Sequence, residues 1–258
     1  MASSMVYRLR VSAPDDDPMA RFREAMATAQ TIWDNRGFNH IAGHHGVPGW
    51  YCWHHQASPR TGLQARLFLP WHRAYLWALE QALQDRVEGV ALPWWDWTVQ
   101  RGIPAAYESK PLDGFEARIP VDGQVIQYQT KRNPGAAGQL ATESEIDNVL
   151  KVTDWATFSD TLQDYHDRVH VWVGGSMLDP AVAANDPIFF AHHCMIDRIW
   201  YLWQVRHGNG GVPQDLLDLI LDPFGQTFRQ VLDVQTLGYE FAVTAADIPL
   251  PTEEETDG

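Results

Sequence analysis

Two cysteines in 258 residues, Cys52 and Cys194, are too few and too far apart to make a disulfide framework. A reducing compartment is the plain expectation, and each sulfur then needs a reason of its own. The sequence also lacks any apolar stretch approaching the ~20 residues of a membrane span. Its opening, MASSMVYRLR, holds no apolar run that would start a secretory signal. The expectation is a soluble chain, cytoplasmic as it stands or secreted with a partner. Positive charge is scarce too: 19 Lys and Arg face 33 Asp and Glu, for a formal net charge of −14. Nucleic acid and anionic membrane surfaces would be repelled by that balance. No internal repeat and no low-complexity linker divides the chain.

Apolar residues make up 45% of the sequence and there are 12 Trp, enough for one sizeable core. We expect a single domain over residues 1–241, followed by an acidic, flexible tail over 242–258 that ends in TEEETDG. Helix signals dominate. Asp17-Pro18 offers a start for a helix in which Phe22, Met26, Ala29 and Trp33 recur on one face. A second helix is expected after Pro70, with His72, Leu76, Leu79 and Leu83 aligned and Gly89 as its stop. Residues 100–140 read as irregular loop with short strands at most. Thr142 and Glu145 then form a capping-box pattern before a short helix. A further helix runs through HDRVHVW, and the last begins at Asn185 or Asp186 with Pro187 in its first turn. The fold class is therefore mainly α, a four-helix bundle with long irregular loops.

Histidine is the anomaly. Ten of the eleven fall in two windows: His40, His44, His45, His54, His55 and His72, then His166, His170, His192 and His193. His166 and His170 stand four residues apart, so a helix sets both on one side. The pair His40 and His44 repeats the spacing, and spacing alone does not make a site. Their surroundings weigh more: RLFLPWHRAYLW, VHVWV and PIFFAHHCMI are apolar, and a buried imidazole needs a hydrogen bond or a metal. Few carboxylates and no paired thiols accompany these histidines, a donor set that suits copper or zinc. A zinc protease would want Glu beside the first histidine of HDRVH, where this chain has Asp167.

The segments HHGVPGWYCWHH, LFLPWHRAYLWALEQAL, LPWWDWT, HDRVHVWVGG and NDPIFFAHHCMIDRIWYLWQ resemble, in order, those of the tyrosinase, catechol oxidase and molluscan haemocyanin group in its short bacterial form. LGYEF at 237–241 is similar to the motif that closes that family's catalytic core. The resemblance implies two copper ions, one held by His45, His54 and His72, the other by His166, His170 and His193. His44, His55 and His192 would support by hydrogen bonds, while His40 and His207 would lie on the surface. The family's usual middle ligand of the first copper lies nine positions before His72, where this chain has Leu63, so an insertion is inferred that moves the ligand to His54. Cys52 stands two residues before it, in the arrangement that some members convert into a thioether between Cys52 and His54. Cys194 reads as a small core residue.

Asp167 replaces the Asn that many family monophenolases carry, and upstream Leu162 and Gln163 offer no carboxylate. Asp167 would accept the phenolic proton or orient a ligand. Phe189, four residues before His193, would line the copper site, whereas Trp94, Trp95, Trp97, Trp200 and Trp203 read as packing. Arg73, Asp197 and Arg198 would pair to fix helix positions. Three imidazoles per ion leave an open side for dioxygen, and the metal lowers the barrier to binding a phenol whose pKa is ~10. The implied activity is oxidation of o-diphenols, with o-aminophenols and monophenols as further substrates, by dioxygen, with a copper-delivery helper protein as a partner. Rival readings are a haemocyanin-like oxygen carrier and a zinc hydrolase. A carrier's shielding domain has no counterpart in the short acidic stretch after LGYEF.

Overall fold

The computed structural model describes residues 5–52 and 63–249, with the backbone alone at 63–65. It is mainly helical, built on α1 (Asp17–Gln30), α2 (Phe38–Ala42), α3 (Leu63–Gln84), α4 (Glu143–Val149), α5 (Trp155–Val173) and α6 (Ile188–His207). The long helices α3, α5 and α6 pack on one another, and α1 lies against α3. None of the described helices is long and apolar enough to cross a membrane.

α1 starts where Asp17-Pro18 places it and buries Phe22, Met26 and Ala29. It stops at Gln30, before Trp33, which is therefore half-exposed rather than in the core. α3 departs further from expectation. It begins at Leu63, and Pro70 sits inside it. Proline removes one backbone hydrogen bond and crowds the preceding turn, a cost the burial of Leu67, Phe68, Trp71 and Tyr75 around it offsets. α4 carries the expected cap: Thr142 Oγ1 accepts from Glu145 N at 3.3 Å and Glu145 Oε2 accepts from Thr142 N at 2.8 Å. α6 begins after Pro187, and Asp186 serves its first turn by accepting from Ile188 N at 3.2 Å.

Within the stretch read as loop, β2 (Glu116–Val121) and β3 (Gln124–Gln129) form an antiparallel hairpin. β1 (Val6–Arg8) and β4 (Tyr239–Phe241) pair in parallel, which sets Arg8 opposite Phe241. Contacts continue past residue 241, because Arg10 N donates to Val243 O at 3.3 Å and Trp94 Nε1 to Ala242 O at 3.1 Å. The expected boundary of the tail thus falls inside a paired segment, and residues 250–258 lie outside the described ones. The five tryptophans read as packing are all buried.

The β1–β4 pair delivers Arg8 into the interior beside α3 and α6. Its guanidinium donates to Glu80 Oε1 and Oε2, both at 2.9 Å, and to Asp197 Oδ2 at 3.0 Å. Asp197 also accepts from Arg73 Nε and from Tyr239 OH, each at 2.6 Å. Two buried cations thus meet two buried carboxylates, so the group is neutral as a whole. Arg198 does not join it and lies over the Trp94 ring at 4.2 Å instead.

Candidate metal centre

His72 sits on α3, one residue before Arg73 of the buried ion group. Its Nδ1 lies 2.8 Å from Phe68 O. A carbonyl only accepts, so Nδ1 carries the proton and Nε2 keeps the lone pair. On α5, His170 Nδ1 stands 2.8 Å from Met177 O and takes the same tautomer. His166 Nδ1 is 2.9 Å from Asp167 Oδ1, which again leaves the lone pair on Nε2. Three imidazoles are thus oriented through Nδ1 by three different acceptors, as metal-binding histidines are.

Local sequence explains how the acceptors arrive. α5 ends at Gly174 and Gly175, both at positive φ. A Cβ at Gly175 would stand 2.1 Å from Lys131 O, so only glycine lets the chain pass here. The turn it permits brings Met177 O back to His170. Close approach also fixes Gly46, where a Cβ would meet Ala181 O at 2.3 Å. That packing seats the segment carrying His45.

The imidazoles form two adjoining groups. In one, ligand atoms of His166, His170, His192 and His193 all lie within 4.8 Å of one another; in the other, those of His45, Cys52 and His72 do. His166 Nε2 and His193 Nε2 are only 3.1 Å apart. The His72 and His193 rings stack at 4.2 Å and 10°, which joins the groups. Phe189 packs against His193 at 4.1 Å, His45 at 4.7 Å and His170 at 5.7 Å. Cys52 Sγ lies 3.6 Å from His72 Nε2. Five of the six expected ligands therefore come together, and the sixth, His54, lies outside the described residues, as do His55 and the bond expected between Cys52 and His54.

Other expectations are corrected. His192 is fully buried in the same group as His166, His170 and His193, with the His166 backbone among its hydrogen-bonding influences. Its ring stacks on His166 at 5.1 Å. His44 turns away from the centre, toward Tyr51 and Phe224. His207 is not a bare surface residue: its Nε2 donates to Leu150 O at 2.8 Å, tying α6 to the end of α4. Cys194 is buried as expected, and burial pushes its thiol well above the usual range. Sequence reasoning missed Arg8, because nothing local to MASSMVYRLR reports a partner more than seventy residues away.

Converging imidazoles, three of them with Nδ1 turned to an acceptor, and a donor set dominated by ring nitrogen fit copper. Burial first, then the neighbouring rings, drives the pKa of both His192 and His193 well below imidazole's ordinary 6.5. The folded metal-free protein keeps them neutral, whereas the unfolded chain takes up protons below about 6.5. The stability these neutral rings contribute is therefore present at high pH and is lost as the pH falls through and below that range. Urea denaturation of the metal-free protein should show stability falling as the pH drops through imidazole's ordinary range. A stability that stays flat over that interval would contradict the burial of two neutral rings.

A family profile described as the common central domain of tyrosinase matches residues 35–133 and 122–206. Tyrosinase from Streptomyces glaucescens is 33% identical over 227 residues, which cover 72% of this chain and 82% of that protein. A functional unit from octopus haemocyanin superposes with a TM-score of 0.74 at 27% identity, over 92% of this chain and 68% of that one. Mushroom tyrosinase shares the fold, with a TM-score of 0.67 at 22% identity, over 93% of this chain and 90% of that one. The chain therefore belongs to the tyrosinase family of copper-dependent, phenol-oxidising enzymes.

Proposed function

We propose that the chain oxidises o-diphenols to o-quinones with dioxygen at two copper ions, held by His45, His54 and His72 on one side and by His166, His170 and His193 on the other. The observation that carries this reading is the convergence of five imidazoles, four buried and His170 half-buried, in two groups whose nearest rings stack at 4.2 Å. Bound copper would supply the electron exchange between phenol and dioxygen. The protein would supply geometry and dryness. Phe189, packed across rings of both groups, keeps water from the donors. The 2.9 Å contact to His166 Nδ1 favours an orienting role for Asp167 over that of proton acceptor. Burial and the nearby Asp164 push its carboxyl up to about 6, so it stays ionised and accepting at neutral pH.

Residues 1–241 are read as one catalytic domain, supported by a continuous buried cluster that runs from Val11 to Val231. Copper delivery by a helper protein belongs to the same proposal, supported by the near-complete burial of His45, His72, His166 and His193. Oxygen uptake by the copper-loaded protein with catechol, 2-aminophenol and tyrosine side by side tests the activity. Catechol is expected to give the fastest uptake. Reversible oxygen binding without turnover of any of them would support the carrier reading, and one zinc per chain in place of two coppers would defeat the proposal.

A further inference from the structure

We propose that His40 and His44 form a second, exposed metal site, distinct from the buried centre, that takes a divalent transition-metal ion such as Zn(II) or Cu(II). His40 lies on α2, and the helical turn continues past its end, with Gly43 N donating to Asn39 O at 3.3 Å and His44 N to Ile41 O at 3.1 Å. The spacing of four residues therefore holds in three dimensions, and the rings meet edge to face with centroids 5.0 Å apart. Each ring nitrogen sits about 1 Å from its centroid, so both can reach one ion at about 2.0–2.1 Å with little rotation of the exposed His40 ring.

The pair lines the wall of a cavity of ≈ 860 Å³, bounded also by Trp33, Tyr51 and Arg118. Water has room there to complete the coordination. Neither ring has a hydrogen-bond partner among the described residues. Asn39, beside them, is already committed: its side chain donates to Arg118 O at 2.8 Å and accepts from Arg118 N at 2.7 Å, which pins the hairpin to α2 and fixes the cavity's far wall. The Arg118 guanidinium, which also lines the cavity, lies over the Trp33 ring at 4.9 Å. Across the whole chain the net charge of −14 favours cation approach.

His44 directly precedes His45, yet the two rings face opposite ways. His44 stands against Tyr51 and Phe224, whereas His45 stands against Phe189 and His72. An ion on the outer pair would sit on the far side of the segment that seats His45. The outer site stands whether or not His45 binds copper.

Zinc titration of the copper-loaded, full-length protein, read by equilibrium dialysis with metal analysis, tests this. One additional zinc per chain is expected. His40→Gln should weaken that binding at least about tenfold while copper content and catechol oxidation stay unchanged, since His40 touches neither buried group. His207→Gln, which alters a histidine far from the pair, should leave zinc binding as it was. Absence of the additional zinc, or equal binding by wild type and His40→Gln, would overturn the proposal.

Discussion

Replacing His193 by alanine should cut bound copper from about two ions per chain to at most one and bring catechol-dependent oxygen uptake down to background, while His192→Gln retains both ions. The two histidines are neighbours on α6, equally buried, and the sequence pattern alone does not separate them. Geometry does. His193 Nε2 faces His166 Nε2 at 3.1 Å and its ring lies on His72 of the other group, so one imidazole touches both halves of the centre. His192 stacks beside His166 and contacts neither His45 nor His72 at comparable range. On the proposed ligand set, removal of His193 would take away a donor that an ion needs, whereas removal of His192 would take away a neighbouring ring of the same group.

Metal analysis reads the difference directly, and the stability of the metal-free forms guards against a folding artefact. His193 carries a buried nitrogen with no partner among the described residues. Its loss should cost the metal-free protein little, because the cavity it leaves is offset by the relief of an unsatisfied polar group. An unstable metal-free His193→Ala would show that the ring is structural, and copper retained by that variant would remove it from the ligand set. Asp167→Ala makes an intermediate case. It leaves every donor in place but frees His166 to turn, for an expected 10–100-fold loss of copper affinity, on the order of what such supporting contacts contribute.

The elements legible in the sequence were those whose cause is local. The Thr142–Glu145 cap, the Asp17-Pro18 helix start and the face shared by His166 and His170 each depend on residues within one or two turns. What escaped was set by distant chain. Pro70 reads as a helix start, yet packing around Phe68 and Trp71 carries α3 through it. The hairpin β2–β3 hides in a stretch whose glycines and prolines suggest only loop. At the centre, chemistry made the histidines visible as a group, but only the fold could show which way each ring points. His44 and His45 are adjacent in sequence and face opposite ways. The acceptors that set the tautomers, Phe68 O and Met177 O, are backbone atoms that no residue type announces.

Arg8 is the largest omission, and it leads to the second large expected effect: Asp197→Ala should destabilise the protein by about 3–5 kcal/mol. Asp197 lies one helical turn beyond His193 and is the carboxylate shared by both buried guanidiniums. Without it Arg8 keeps Glu80, but among the described residues Arg73 retains Gln204, the carbonyls of Val231 and Leu232 and the face of the Trp200 ring at 3.4 Å, none of which carries a negative charge. An uncompensated cation then remains in the interior, which is the costly outcome; burying a neutral group of matched charges costs far less. For a chain of this size the loss corresponds to a fall in Tm on the order of 10 °C, measurable by calorimetry on the metal-free protein. Asp197→Asn should fall between the two, since an amide still accepts from one guanidinium but neutralises neither. Pairing each change with Arg8→Met separates the charge from the shape: if the imbalance is the cause, removing Arg8 as well should recover part of the loss, giving a coupling of at least about 1 kcal/mol. Strictly additive changes would mean that the ion group contributes through packing alone. Copper content adds a second readout, because Arg73 and Asp197 anchor the turns of α3 and α6 that carry His72 and His193. A variant that holds its fold at low temperature but binds copper weakly would show that this ion group also sets the spacing between the two halves of the centre.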